Sequence, residues 1–106
     1  MPMLNTEEIR SLCNDESIVL TAHVRDRMKK RGIQYDDLVL AVSCGEIIKQ
    51  YEDDNPYPSC LILGNTADNR PLHVVVSTDG EILWFITTYY PGADKWCDKF
   101  RTRKAE

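Results

Sequence analysis

The sequence predicts an α+β fold in which two or three N-terminal helices pack on a four-stranded antiparallel meander sheet. Apolar residues recur with helical spacing as far as Cys44, and after Gly45 the spacing changes to one typical of strands. Asp79-Gly80 adds a strong signal for a tight hairpin in the second half of the chain. The length of 106 residues fits a single domain over 1–106.

The first two helices are predicted from their capping residues. Asn5 followed by Glu8 resembles a capping box, so a short helix should cover 6–13. Thr21 is a good N-cap for the second helix, and Gly32 should end that helix.

A third helix should run from about Tyr35 or Asp36 to Cys44, so that the helices together occupy about 6–45. Acidic residues in its first turn favour its start, and Gly45 is a natural stop. Apolar side chains wrap most of its circumference, which predicts that it is the most buried helix. These side chains are Leu38, Val39, Leu40, Ala41 and Val42.

The sheet is expected within about 46–90, followed by a short C-terminal helical turn over 93–100 and a frayed tail. If Asp79-Gly80 are the two turn residues, Val75 lies opposite Trp84 and His73 opposite Ile86. This register places His73, Thr88 and Tyr90 on one mixed face that suits a partly open surface. The four strands are predicted at 46–51, 59–64, 72–78 and 82–90.

Composition and charge narrow the class of protein. The apolar and charged fractions of 42% and 28% are ordinary for a soluble globular domain. A net charge of −4 argues against nucleic-acid binding over the whole surface, but it allows a local basic patch. Five of the thirteen basic residues lie between Arg25 and Arg31, with Asp26 as the single acid among them.

We expect a cytoplasmic protein without membrane association. No apolar run approaches the ~18–20 residues needed to cross a bilayer, and the start MPMLNTEEIR is unlike a signal peptide. The four cysteines form no C-x-x-C pair, so we expect no metal and no other cofactor.

The second helix carries the first candidate site. His23, Arg27 and Lys30 are spaced three or four residues apart and therefore share one edge, with Arg31 beside them. The edge could be a solvated helix face with His23 as part of the cap. It could equally bind phosphate, because arginine offers a planar fork and a helix N-terminus offers free N–H groups.

These groups also suit a metal-independent ribonuclease. His23 would take the proton from a 2′-hydroxyl, Arg27 would stabilise the charged phosphorane, and His73 would protonate the leaving oxygen. His73 could instead be a strand histidine bonded to a neighbour. Thr88 and Tyr90 complete the candidate catalytic set, or else are β-formers chosen for packing. Tyr57, Trp84 and Trp96 could stack on bases or anchor the core.

The chain resembles the domain-of-unknown-function 4258 family of small bacterial and archaeal proteins. Five segments spread over most of 20–100 carry the resemblance. They are His23-x-x-x-Arg27-Met28-x-x-Arg31-Gly32-Ile33, Gly45-Glu46-Ile47-Ile48, Tyr51-x-x-Asp54-x-Pro56-Tyr57-Pro58-Ser59-Cys60-Leu61, Leu72-His73-Val74-Val75-Val76, and Ile86-Thr87-Thr88-Tyr89-Tyr90-Pro91 with Trp96.

The resemblance implies a fold similar to the broad class that holds RelE-like and BrnT-like toxins, barnase and EndoU-type ribonucleases. That class pairs N-terminal helices with an antiparallel sheet, often cuts RNA without metal, and includes toxins that a partner protein neutralises. It implies that His23, Arg27 and His73 are the matched polar positions, with Thr88 and Tyr90 beside them.

Three functions therefore remain open at this point. The first is a metal-independent endoribonuclease toxin with an antitoxin partner, and the second is a non-catalytic RNA- or protein-binding module. The third is a small-molecule enzyme that uses His73 and a cysteine. The first requires His23 and His73 to share one pocket, within roughly 10 Å, since each must reach the same phosphate. A homodimer paired through an apolar strand edge is a further open alternative.

Overall fold

The structure is a computed structural model that describes residues 4–93, 95–97 and 99–103. Within these residues three helices pack against a five-stranded mixed sheet, and a two-stranded hairpin follows. The predicted α+β class is confirmed, whereas the sheet has one strand more than predicted. The elements are α1 (Thr6–Ser11), β1 (Ile18–Leu20), α2 (Ala22–Arg31), α3 (Tyr35–Cys44), β2 (Glu46–Tyr51), β3 (Ser59–Asn65), β4 (Pro71–Thr78), β5 (Leu83–Tyr89), β6 (Trp96–Cys97) and β7 (Thr102–Arg103).

The helix caps form as the sequence predicted. The Asn5 side chain accepts a hydrogen bond from the Glu8 N–H at the start of α1, and Thr21 Oγ1 accepts from the Val24 N–H at 3.1 Å. Gly32 ends α2 in the left-handed conformation with φ 67°, which glycine adopts without steric cost. None of the helices in the described part of the chain is long and apolar enough to cross a membrane.

The strand that the sequence analysis missed is β1. The five-stranded sheet has the order β1-β5-β4-β3-β2, and β1 runs parallel to β5 with Ile18 opposite Leu83 and Leu20 opposite Phe85. All other pairs in this sheet are antiparallel. A strand of three residues carries too little alternation to be recognised, and its partner lies far along the chain.

The predicted register of the β4–β5 hairpin is wrong in two ways. Asp79 Oδ1 accepts hydrogen bonds from the N–H groups of Glu81 and Ile82, both at 2.9 Å, so the loop spans four residues instead of two. Thr78 therefore faces Leu83. A β-bulge at Ile86 then shifts the pairing again.

The bulge decides which side chains of β5 share a face. Beyond it, Thr88 lies opposite Val74 and Tyr89 lies opposite His73, so the predicted pairing of His73 with Ile86 is wrong. Since successive strand residues alternate between faces, Thr88 joins the helix side of the sheet. Thr87 and Tyr89 share the opposite face with His73.

The core lies between the helices and one face of the sheet. Leu38, Ala41 and Val42 of α3 are almost fully buried there, whereas Leu40 is 38% exposed, so α3 keeps one side toward solvent. The same cluster contains Val24 of α2. Its strand members are Cys60, Ile62, Leu72, Val74, Val76, Leu83 and Phe85.

The predicted helical turn over 93–100 is wrong. Trp96–Cys97 instead form β6, which pairs antiparallel with β7 at Thr102–Arg103. The predicted frayed tail therefore begins with a short strand. Asp94, Asp98 and residues 104–106 lie outside the described residues.

Gly64 generates a prediction about how closely α3 packs on the sheet. A Cβ at this position would lie 2.1 Å from the Ala41 carbonyl oxygen, which is backbone and has no room to move. We expect Gly64→Ala to lower the free energy of unfolding by about 3 kcal/mol, or to prevent folding, because overpacking strains the core. Urea unfolding measures the change.

Gly32→Ala is the matched control. A Cβ at Gly32 meets nothing within 4 Å. The substitution should therefore lower the free energy of unfolding by only about 1 kcal/mol, the cost of a left-handed backbone conformation for alanine. If both variants unfold at the same urea concentration, the proposed contact between α3 and β3 is not a tight one.

Candidate functional site

His23 is the exposed polar group at the centre of the site. It lies in the first turn of α2, and its Nε2 is 3.0 Å from Thr87 Oγ1 on β5. The preceding strand ends at Leu20, opposite Phe85, so α2 begins beside the part of β5 that β1 leaves uncovered. The helix therefore reaches around the sheet edge with its N-terminal turn.

Two arginines continue the site along α2. Arg27 follows His23 by four residues and Arg31 follows by another four, which places all three on one ridge of the helix. Arg31 borders a surface hollow of about 470 Å³ together with Tyr89 and other residues at the end of β5. We call His23, Arg27, Arg31 and Thr87 the cationic edge.

Asp26 moderates the charge of this helix. Its carboxylate lies 3.2 Å from Lys30 Nζ and 3.7 Å from Arg27 Nη1. The hydrogen bond from Lys30 is the main cause that holds the pKa of Asp26 below its ordinary value. Lys30 and, at the longer distance, Arg27 are thus both paired with an acid of their own helix. Exposed ion pairs of this kind are weak and can exchange for a phosphate.

His73 lies in a closed environment, not on the partly open surface that the sequence predicted. It is 0% exposed, and its Nε2 donates to the Phe100 carbonyl oxygen at 2.8 Å. A carbonyl only accepts, so Nε2 carries the hydrogen and Nδ1 accepts from the Tyr89 hydroxyl at 3.2 Å. The Trp96 ring covers the imidazole edge-on at 4.4 Å between centroids.

This burial separates the roles of the two histidines. Both ring nitrogens of His73 are occupied by protein groups, so the geometry does not present it to a phosphate bound at His23. The alternative interpretation of His73, a strand histidine hydrogen-bonded to its neighbours, agrees with these contacts. The two histidines are instead connected through β5, where Thr87 contacts His23 and Tyr89 contacts His73.

Thr88 and Tyr90 contact residues other than His23, and Tyr90 borders the same hollow as Arg31. The Thr88 hydroxyl is buried and donates to the His73 carbonyl oxygen at 2.8 Å, which makes it part of the strand pairing. Tyr90 packs against the core, with the Arg70 guanidinium 3.7 Å above its ring centroid. The threonine that the structure brings to the site is Thr87, which sequence reasoning missed because no residue pattern announces the bulge.

An aromatic pocket adjoins the cationic edge. Tyr57 stacks on Trp84 with 5.5 Å between centroids and 8° between planes. The pair borders a cavity of about 340 Å³ that Thr21 and Ile86 also line. Thr21 precedes His23 by two residues, and Ile86 directly precedes Thr87, so both walls of the pocket lead to the cationic edge.

Neither Cys13 nor Cys60 presents a reactive thiol to His73. Burial raises the pKa of Cys60 to about 12, and Cys60 belongs to the core on the helix side of the sheet. Burial likewise raises the pKa of Cys13 to about 11. Thiols of this kind hold their protons and are poor nucleophiles. Within the described part of the chain, no three His, Cys, Asp or Glu side chains are grouped to hold a metal ion.

Comparison with known protein families identifies the family of the chain. The model of the family described as domain of unknown function DUF4258 matches residues 20–90, and the protein belongs to this family. The matched region runs from the end of β1 to the end of β5 and so includes the whole cationic edge. No curated protein and no solved structure matches the chain significantly.

His73 predicts a pH dependence of stability. Burial lowers the pKa of His73 below its ordinary 6.5, so below that pH the unfolded chain takes up a proton that the folded chain refuses. The free energy of unfolding should therefore be unaffected by His73 above about pH 7. It should fall by up to about 1.4 kcal/mol per pH unit as the pH drops from 6.5 toward 5.

Urea unfolding between pH 5 and 8 measures this slope. His73→Gln should remove it, and His23→Gln, which changes the exposed imidazole, should retain it. An equal slope in the wild type and His73→Gln would contradict the buried, neutral state of His73.

Proposed function

We propose that the protein binds RNA, with a phosphodiester held at the cationic edge. One observation carries this proposal: exposed His23, whose Nε2 is 3.0 Å from Thr87 Oγ1 on β5, lies on the same ridge of α2 as Arg27 and Arg31. Hydroxyl, imidazole and guanidinium groups are all ligands of phosphate oxygens. The chain is acidic overall, with a net charge of −4, so this concentration of cations is local.

The start of α2 adds to the attraction for an anion. The helix has no acidic residue in its first turn, and a helix N-terminus carries a partial positive charge with N–H groups directed outward. Three basic residues occupy its last turn. Since these charges lie beside β5 and not over the whole surface, the proposal is a single strand of RNA along one edge of the domain.

Phosphate binding predicts a salt dependence. Arg27→Ala and Arg31→Ala should each weaken binding of a single-stranded RNA. Each should also reduce the slope of log Kobs against log salt concentration by about 0.7, the contribution of one phosphate contact on a single strand. Fluorescence anisotropy of a labelled oligonucleotide measures both effects. The salt concentration is varied from about 50 to 300 mM, which brackets physiological ionic strength.

Lys29→Ala is the control for this experiment. Lys29 is exposed and points away from the ridge of His23, so its loss should change the affinity much less than the loss of either arginine. Equal effects of the lysine and arginine substitutions would indicate diffuse electrostatic attraction and would contradict phosphate binding at the cationic edge.

A second candidate function is a metal-independent endoribonuclease toxin of a toxin–antitoxin pair. The observation that favours it is that His23 is both exposed and oriented by Thr87, as a general base requires. Arg27, one turn along, would stabilise the charged phosphorane. The leaving oxygen would need a donor other than His73. By the resemblance to toxins of this class, a cytoplasmic antitoxin would cover the cationic edge.

Induced expression tests the toxin candidate. The wild type should arrest growth and produce RNA fragments that end in cyclic phosphates, and His23→Ala should reduce cleavage by about 10²–10⁴-fold. Arg27→Ala should relieve the arrest as well. His73→Gln serves as the comparison, because a residue without contact to substrate should lower activity only as far as it lowers folded protein. Harmless wild-type expression with intact RNA would remove the toxin candidate and leave RNA binding to be judged by the salt experiment.

A further inference from the structure

The aromatic pocket beside the cationic edge points to a specific occupant. We propose that it is a nucleobase subsite that takes one base of the RNA whose phosphate lies at the cationic edge, with preference for a base that carries an exocyclic amino group. The proposal rests on the proposed RNA binding and names the part of the substrate that the protein reads.

The first argument is the arrangement of the aromatic side chains. Tyr57 is 40% exposed although its ring stacks on Trp84, so an aromatic platform is open to solvent. Bases stack on such platforms irrespective of sequence, because every base has a π-face. The cavity volume of about 340 Å³ lies at the lower end of the ~300–1,000 Å³ found for small-molecule sites.

The second argument is continuity with the cationic edge. Thr21 lines the pocket and caps the helix whose first turn contains His23, and Ile86 lines it directly before Thr87. A nucleotide places its base and its phosphate a few ångströms apart on one sugar. The same two short segments of chain therefore support both halves of a single nucleotide.

The third argument concerns the rim of the pocket. Asp54 and Asn55 lie on the loop before β3 and border the cavity. Ser59 Oγ donates a hydrogen bond to the Asp54 carboxylate, which orients this carboxylate while leaving it further acceptor positions. A carboxylate accepts a hydrogen bond from the N4 amino group of cytosine. Uracil carries a carbonyl oxygen, O4, at the same position, and a carbonyl oxygen cannot donate. The rim therefore favours cytosine over uracil.

A comparison of backbones with and without bases tests the subsite. The probes are a cytidine tetranucleotide and the same ribose-phosphate backbone with abasic positions. The wild type should bind the base-bearing probe roughly 5- to 100-fold more tightly, the range typical of base–aromatic stacking. Tyr57→Ala should remove this difference without changing the affinity for the abasic backbone, and Tyr57→Phe, which keeps the ring, should retain it.

The rim is tested with uridine in place of cytidine. The wild type should prefer the cytidine tetranucleotide, and Asp54→Asn, whose amide oxygen can still accept from Ser59, should lose the preference. Equal binding of the base-bearing and abasic probes by the wild type would overturn the subsite. Equal weakening of both probes by Tyr57→Ala would also overturn it.

Free cytidine separates failure of the subsite from failure of the proposed function. In a Trp96→Phe chain, fluorescence of the remaining Trp84 should be quenched saturably by cytidine, and Tyr57→Ala should abolish the saturation. Quenching without any binding of the abasic backbone would reject the phosphate edge and keep the subsite. The opposite result is binding of the abasic backbone that depends on Arg27, with no quenching and no difference in affinity between base-bearing and abasic probes. That result would support the cationic edge and reject the subsite.

Discussion

The position of the site depends on the hydrogen bonds of Thr21. Its hydroxyl oxygen accepts from the Val24 N–H and so begins α2. The single hydrogen of the same hydroxyl is shared between the carbonyl oxygens of Phe85 and Ile86, which lie 3.1 and 3.0 Å from the hydroxyl oxygen. Its own N–H donates to the Phe85 carbonyl oxygen at 3.2 Å. One residue therefore joins the start of the helix to the bulge of β5. His23 and Thr87, which flank this junction, meet as a consequence.

The bulge has a second effect on the opposite face of the sheet. Because it adds one residue to β5, it reverses the alternation beyond Ile86 and turns Tyr89 toward His73. The imidazole then has a partner on each ring nitrogen and a cover from Trp96. The same irregularity thus exposes one histidine beside a hydroxyl and encloses the other.

Features that depend on local chemistry could be predicted from the sequence. Asn5, Thr21 and Gly32 act on atoms within a few residues of themselves, so the starts of α1 and α2 and the end of α2 followed from residue type. The ridge of His23 and Arg27 followed from helical spacing alone. The register beyond Ile86 could not be predicted, because the bulge leaves no local residue pattern and the partner of its carbonyl oxygen, Thr21, is far away in the chain. The enclosure of His73 likewise depends on Trp96 and on the Phe100 carbonyl oxygen, which belong to a segment with no strong local pattern.

The parallel pairing of β1 with β5 also has a consequence for protein synthesis. The two members of the His23–Thr87 pair are 64 positions apart, and β1 has no partner until β5 exists. During translation the helix that carries the cations is made first, and Thr87, which orients His23, is added 64 residues later. A nascent or prematurely terminated chain would therefore carry the basic helix without the completed site.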